Sequence, residues 1–208
     1  RLVGSEMCIR DRGGGGRTRV LQGGRVFEKA GVNVSVISGR LPAQAVKMMN
    51  SRKEDALHGA DLPFYVTGVS LVSHPPNPMA PTVHANYRFF EVLTKDSKGQ
   101  PVVRYWYGGG ADLTPSYLFP EDAKHFHRIH AKALAPHGSS LYPNFKEWCD
   151  KYFYLKHRQE GRGIGGIFFD DFGETHIPIS PASLSTSQGP LAVPEGKRAI
   201  THILKRYK

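Results

Sequence analysis

Between residues 65 and 93 the chain changes chemical character at every second position, and a period of two commits this stretch to β-strand. Residues two apart on a strand share a face. Val66, Gly68, Ser70, Val72 and His74 therefore point one way, and Tyr65, Thr67, Val69 and Leu71 the other. After a proline-broken connection the alternation returns, with His84, Asn86, Arg88 and Phe90 on one face and Ala85, Tyr87, Phe89 and Glu91 opposite. A strand that lines up an imidazole, an amide and a guanidinium presents donors to an anionic ligand. A sheet face turned only to water also alternates, but it is usually filled by Lys, Glu and Thr rather than by histidines, an amide and an arginine.

The elements around these strands are set by turn and cap chemistry. Asp96, Ser97 and Gly99 lie between Lys95 and Gln100 and supply a turn, so residues 102–107 read as the returning arm of an antiparallel hairpin. Upstream, residues 26–38 read as one strand or as a hairpin around Gly31, and 42–53 as a short helix. Downstream, Pro120 followed by Glu121 and Asp122, with Gly138 beyond, predicts a helix over 120–136 that carries His125, His127 and His130. Pro143 starts a second helix, in which Phe145, Trp148, Tyr152 and Leu155 form a core stripe. A last strand over 166–169 ends in Asp170 and Asp171. The fold class is α+β, an antiparallel sheet flanked by helices in a single, incomplete domain. A chain of 208 residues with 39% hydrophobic content can bury one such core.

The ends differ from the middle. Residues 1–12 share no periodicity with the body of the chain and are set aside as a foreign lead-in, 13–174 form the domain, and 175–208 read as a non-matching tail. Residues 177–196 are rich in Pro, Ser, Gly and Thr and read as loop or disorder, with a short basic helix over 199–208. The ends also hold most of the charge: of a formal +10, residues 1–19 carry +3 and residues 195–208 carry +4. The body needs no broad basic face, which argues for a small acidic substrate over a nucleic acid. No apolar run is long enough to span a bilayer and no signal-peptide core opens the chain, so a soluble protein is expected. Cys8 and Cys149 lack disulfide or zinc spacing, and Cys149 is expected to be a buried thiol.

Several motifs lead nowhere. Gly161, Gly163 and Gly166 spell a dinucleotide fingerprint, yet they follow a helix and enter a strand, the reverse of the order that fingerprint needs. Gly108, Gly109 and Gly110 follow a strand without the Lys-Ser/Thr of a phosphate loop and are better read as permitting close backbone approach. Gly13–Gly16 read as a flexible linker in preference to an anion-reaching arm with Arg17 and Arg19. Of the ten histidines, His74, His84, His127 and His157 could converge on a metal only through the fold, since none has the local spacing of HExxH or of HxH on a strand.

A set of longer segments carries a resemblance. It comprises Gly13 to Gly16 with Arg17 and Arg19, Gly68-Val69-Ser70-Leu71, and His74 through Pro81 to His84-Ala85-Asn86-Tyr87-Arg88-Phe89-Phe90. It continues with Trp106 through Gly108-Gly109-Gly110 to Asp112-Leu113-Thr114-Pro115, Tyr142-Pro143, Lys146 to Leu155 with His157-Arg158, and Arg162 through Gly166 to Asp171. Over about residues 13–172 the chain resembles the oxygen-dependent coproporphyrinogen III oxidases. The resemblance implies substrate contacts at Ser70, Asn86, Tyr87 and Arg88, a proton donor at His84, and proposed metal-binding histidines at His74, His84, His127 and His157. It implies oxidative decarboxylation of two propionates of coproporphyrinogen III to give protoporphyrinogen IX in haem biosynthesis. Dioxygen is the co-substrate, no organic cofactor is expected, and a divalent metal is left open. A homodimer is implied, in the cytoplasm of a bacterium or the mitochondrion or plastid of a eukaryote.

Family members continue beyond the last strand with a dimer-forming region and further substrate contacts that do not come after Phe172 here, so little or no turnover is expected of the chain as given. The residues alone leave two other classes open, a metal-dependent hydrolase built on the four histidines and a non-catalytic anion- or nucleic-acid-binding module.

Overall fold

The computed structural model describes residues 2–5, 14–51 and 56–178. Seven strands form one sheet in the order β1 (Leu2–Ser5), β2 (Gly14–Gln22), β3 (Lys29–Leu41), β4 (Leu62–His74), β5 (Thr82–Lys95), β6 (Pro101–Thr114) and β9 (Gly165–Pro178). Helix α1 (Ala43–Asn50) lies between β3 and β4 in the chain. The excursion from β6 to β9 holds α2 (Pro120–Leu134), α3 (Leu141–Tyr152) and the two-residue strands β7 (Tyr154–Leu155) and β8 (Glu160–Gly161). The expected α+β class therefore stands. The expectations for residues 179–208 lie outside the described residues.

The first hairpins differ in detail from the sequence expectation. β1 comes from the stretch set aside as a lead-in and pairs antiparallel with β2, Leu2 opposite Leu21 and Ser5 opposite Thr18. Gly14–Gly16 open a strand instead of a linker, opposite Ile37, Val36 and Ser35 of β3. Cross-strand pairing overrides the low strand propensity of glycine here, and a Cβ on Gly16 would stand 2.5 Å from the Val34 carbonyl oxygen. The turn that precedes β3 is closed by Gly23 N–H to the Glu28 carbonyl at 2.8 Å and Gly24 N–H to the Phe27 carbonyl at 3.0 Å. Gly31 is a paired strand residue opposite Val20, not a turn.

The hairpin that organises the middle of the sheet obeys its turn residues. The Asp96 side chain accepts from the backbone N–H groups of Lys98 at 2.9 Å and Gln100 at 2.8 Å, while Gly99 takes the left-handed conformation at φ 79°. Asp96 N–H then bonds the Gln100 carbonyl at 2.9 Å, which fixes the register of β5 on β6. Phe90 stacks on Trp106 at 4.4 Å and Phe89 meets Tyr107 at 5.4 Å along the same ladder.

The described residues group into two compact units. One draws on the chain up to Ile37 with Val66–Phe90 and Trp106–Glu174, and the other on Ser38–Tyr65 and Glu91–Tyr105. The first unit has a core of Ala111, Phe145, Ile167 and Phe169, joined by Tyr87, Tyr107 and Leu141. Phe145 of α3 stacks on Phe169 of β9 at 4.7 Å. The predicted stripe on α3 is only partly the buried one. Phe145 and Cys149, four residues apart, are buried, whereas Trp148 and Tyr152 are 40% and 61% exposed and lie against Phe168. Leu155 falls in β7. The small thiol of Cys149 fits where the helix crosses the sheet, and burial pushes it up to about 11, as expected of an inert core cysteine. In the second unit the Asn50 side chain clamps both the N–H and the carbonyl of Leu57, at 2.7 and 3.0 Å. Thr94 does the same for His58, at 2.9 and 3.0 Å.

Candidate active site

The alternation along β5 places the site. Arg88 donates from Nη1 to Asn86 Oδ1 at 3.2 Å, so the two side chains share a face, as the period of two requires. On β4 a Cβ at Gly68 would stand 3.4 Å from the Arg88 Cβ. Ser70, two residues further along, shares the Gly68 face and accepts a 3.4 Å hydrogen bond from Asn33 Nδ2 of β3. Ser70, His84, Asn86 and Arg88 thus occupy one face of the sheet. Tyr87 points the other way, into the core, where its ring lies 6.5 Å from that of Phe169. On the face shared by Ser70, His84, Asn86 and Arg88, Tyr87 presents its main chain alone.

Each of the two ends of this β5 row is held by a carboxylate. His84 Nδ1 lies 2.9 Å from Asp112 Oδ1, and Arg162 Nη2 donates to Asp112 Oδ2 at 2.8 Å. The Asp112 side chain is only 4% exposed. Burial alone would raise its carboxyl, but the hydrogen bonds from His84 and Arg162, with their charges, hold it below the ordinary 3.8. The ionised Asp112 accepts from Nδ1–H of His84, which leaves Nε2 to give or take a proton. The Arg162 guanidinium in turn lies 3.5 Å over the Phe153 ring, a contact worth about 1 kcal/mol. At the other end Arg88 Nη2 pairs with Asp170 Oδ2 of β9 at 3.0 Å.

Three glycines on β6 make this packing possible. Gly108 lies beneath the Arg88 guanidinium, and a Cβ on Gly109 would stand 2.7 Å from the Tyr87 ring and 2.8 Å from the Asn86 carbonyl oxygen. These are close-approach glycines and not a phosphate loop.

The other histidines stand apart. His127 of α2 reaches the Ile164 carbonyl through Nε2 at 3.1 Å, while its Nδ1 has no hydrogen-bond partner among the described residues. Burial first, and then the Lys146 charge, keep His127 below its ordinary value. His74 and His157 are exposed. No group of three or more His, Cys, Asp or Glu side chains is set to hold one metal ion among the described residues, and the structure does not bring together His74, His84, His127 and His157. His84 and His127 each keep one ring nitrogen beyond the bond to Asp112 or to the Ile164 carbonyl, so what speaks against a shared ion is that the four are not gathered in one place among the described residues.

Asp112, Arg162 and Asp170 carry no role that the sequence alone assigns, although one signal for Asp112 is present there. Counting the same number of residues back along each arm from the Asp96–Gln100 pair sets His84 opposite Asp112 and Arg88 opposite Gly108. The Arg162 and Asp170 contacts come through the loop before β9 and through β9 itself, which no local pattern reveals.

A family model described as coproporphyrinogen III oxidase matches residues 3–189. An oxygen-dependent coproporphyrinogen-III oxidase of Drosophila melanogaster is 57% identical over 162 residues, covering 78% of this chain and 40% of that protein. Coproporphyrinogen-III oxidase 1, chloroplastic, of Arabidopsis thaliana is 54% identical over 170 residues, covering 81% of this chain and 44% of its own length. The mitochondrial oxygen-dependent enzyme of Homo sapiens is 56% identical over 163 residues, with coverages of 78% and 35%. The matched part of the chain therefore spans less than half the length of these curated relatives.

Proposed function

Because the chain belongs to the coproporphyrinogen III oxidase family, we propose that it serves the conversion of two propionates of coproporphyrinogen III to vinyl groups, with dioxygen as the co-substrate in haem biosynthesis, and that this stretch contributes the face that holds the substrate. The observation that carries this reading is the row of alternate β5 residues, Arg88 held by Asn86 and His84 held by Asp112, on a single face. Each propionate loses its carboxylate as carbon dioxide from the outer carbon and a hydride equivalent from the carbon attached to the pyrrole ring, so that the two carbons become the vinyl group. Dioxygen takes up that hydride and one proton, leaving as hydrogen peroxide.

This division of labour suits the residues present. Arg88 keeps N–H groups beyond those given to Asn86 and Asp170 and can hold a propionate by charge-assisted bonds. Asn86, whose Oδ1 accepts from Arg88, has its amide N–H groups to donate to a substrate carboxylate, and the Ser70 hydroxyl adds a donor. Tyr87 contributes its main chain. His84 handles the proton through Nε2 while Asp112 fixes the ring. The four histidines do not fit a shared metal, so no step is routed through one. The homodimer belongs to the same proposal, as does a mitochondrial or plastid location in a eukaryote.

Carboxylate recognition is the part tested most simply. Coproporphyrin III, the oxidised tetracarboxylate, should quench tyrosine and tryptophan fluorescence on binding, and its tetramethyl ester, with the same ring and no charges, should bind roughly 100-fold more weakly. Equal affinity for acid and ester would contradict the assignment of this face to the propionates. A hydrolase or a nucleic-acid-binding module is not favoured by the family match.

A further inference from the structure

Arg88 stands on β5 and its carboxylate partner Asp170 on β9, with β6 between them in the sheet. To reach across, the guanidinium lies flat over β6, and it does so at Gly108. A Cβ at Gly108 would stand 2.6 Å from Asp170 Oδ1, 2.7 Å from Arg88 Nε and 2.8 Å from Arg88 Cζ, so every other amino acid would force the pair apart. Arg88 is thereby held from two sides, Nη1 by Asn86 at 3.2 Å and Nη2 by Asp170 at 3.0 Å. The pair is only partly exposed, with the Arg88 side chain at 34% and Asp170 at 23%.

We propose that Gly108 and Asp170 are positioning residues that fix the Arg88 guanidinium in its ligand-binding orientation, an inference that rests on the assignment of Arg88 to a substrate carboxylate. Arginine is long and rich in rotamers, and a guanidinium already anchored spares the incoming propionate the entropy of ordering it. Gly108 supplies the space for the crossing and Asp170 the anchor at its far end. Asp170 also carries a negative charge beside an anion site, which sets up an opposing expectation. A carboxylate that merely competed for Arg88 would, once removed, leave binding tighter. A carboxylate that positions Arg88 would leave it weaker.

A double-mutant cycle read by coproporphyrin III binding to the full chain separates these roles. Gly108→Ala, which changes no charge, should weaken binding roughly tenfold in the parent and have no further effect in the Arg88→Ala background, because a residue that acts through Arg88 has nothing left to position. Asp170→Ala should behave alike, weaker in the parent and silent without Arg88, and it serves as the second arm if Gly108→Ala does not fold. Parent-like affinity in both variants, tighter binding in Asp170→Ala, or the same loss with and without Arg88 would overturn the inference while leaving Arg88 as the anchor. An Arg88→Ala chain that binds as the parent does would overturn that anchor assignment as well.

Discussion

Two buried carboxyls, Asp112 and Glu91, are moved in opposite directions by their surroundings. Asp112 receives hydrogen bonds from an imidazole and a guanidinium and stays ionised despite its burial. Its contribution to stability is present above its ordinary 3.8 and is lost only as the pH falls through the lower folded value. Glu91 is 6% exposed, and burial pushes its carboxyl from 4.5 up to about 7. In acid it is protonated in the folded and unfolded chain alike and costs nothing. Between 4.5 and about 7 the unfolded chain gives up the proton first, so folding loses stability as the pH rises. Glu91→Gln should therefore be close to neutral at a pH of about 4 and stabilise by as much as about 3 kcal/mol at a pH of about 8. Urea unfolding at the two pH values measures this, and a gain that did not grow with pH would contradict it.

The β5–β6 hairpin is the element on which the site depends. Removing the Asp96 carboxylate leaves the Lys98 and Gln100 N–H groups without their turn acceptor. Asp96→Ala should lower stability by roughly 1 kcal/mol, the net worth of exposed turn hydrogen bonds, visible as a lower melting temperature with fold and binding retained. An unchanged melting temperature would show that the strands alone set this hairpin. Much of the fold is legible in the sequence at this scale, because the strand alternation, the Asp96 to Gly99 turn and Pro120 in the first turn of α2 are local signals. The shared face of Ser70, His84, Asn86 and Arg88 is legible for the same reason. The features that sequence leaves hidden depend on partners distant along the chain. Gly14–Gly16 become strand only because β3 pairs with them, and on α3 the small Cys149 faces the sheet in place of Trp148. Arg162 reaches Asp112, and Asp170 reaches Arg88, only once β9 and the loop before it have returned to β6.

At the scale of the molecule, the family match runs over residues 3–189, and the sheet carries the row proposed to face the substrate. No helix among the described residues is long and apolar enough to cross a membrane. Ser70, His84, Asn86 and Arg88 lie within one compact unit together with Asp112, Arg162 and Asp170, which hold the ends of the row. Substrate recognition by this chain is therefore the central claim, and Arg88 is its focus. The most direct measurement is an anaerobic equilibrium titration of the purified chain with coproporphyrinogen III, the parent against Arg88→Ala. The parent should bind, and loss of a charge-assisted contact to a propionate should weaken affinity about 10- to 100-fold. Equal affinity in the two chains, or no binding to the parent, would contradict the placement of the porphyrinogen on the His84–Arg88 face.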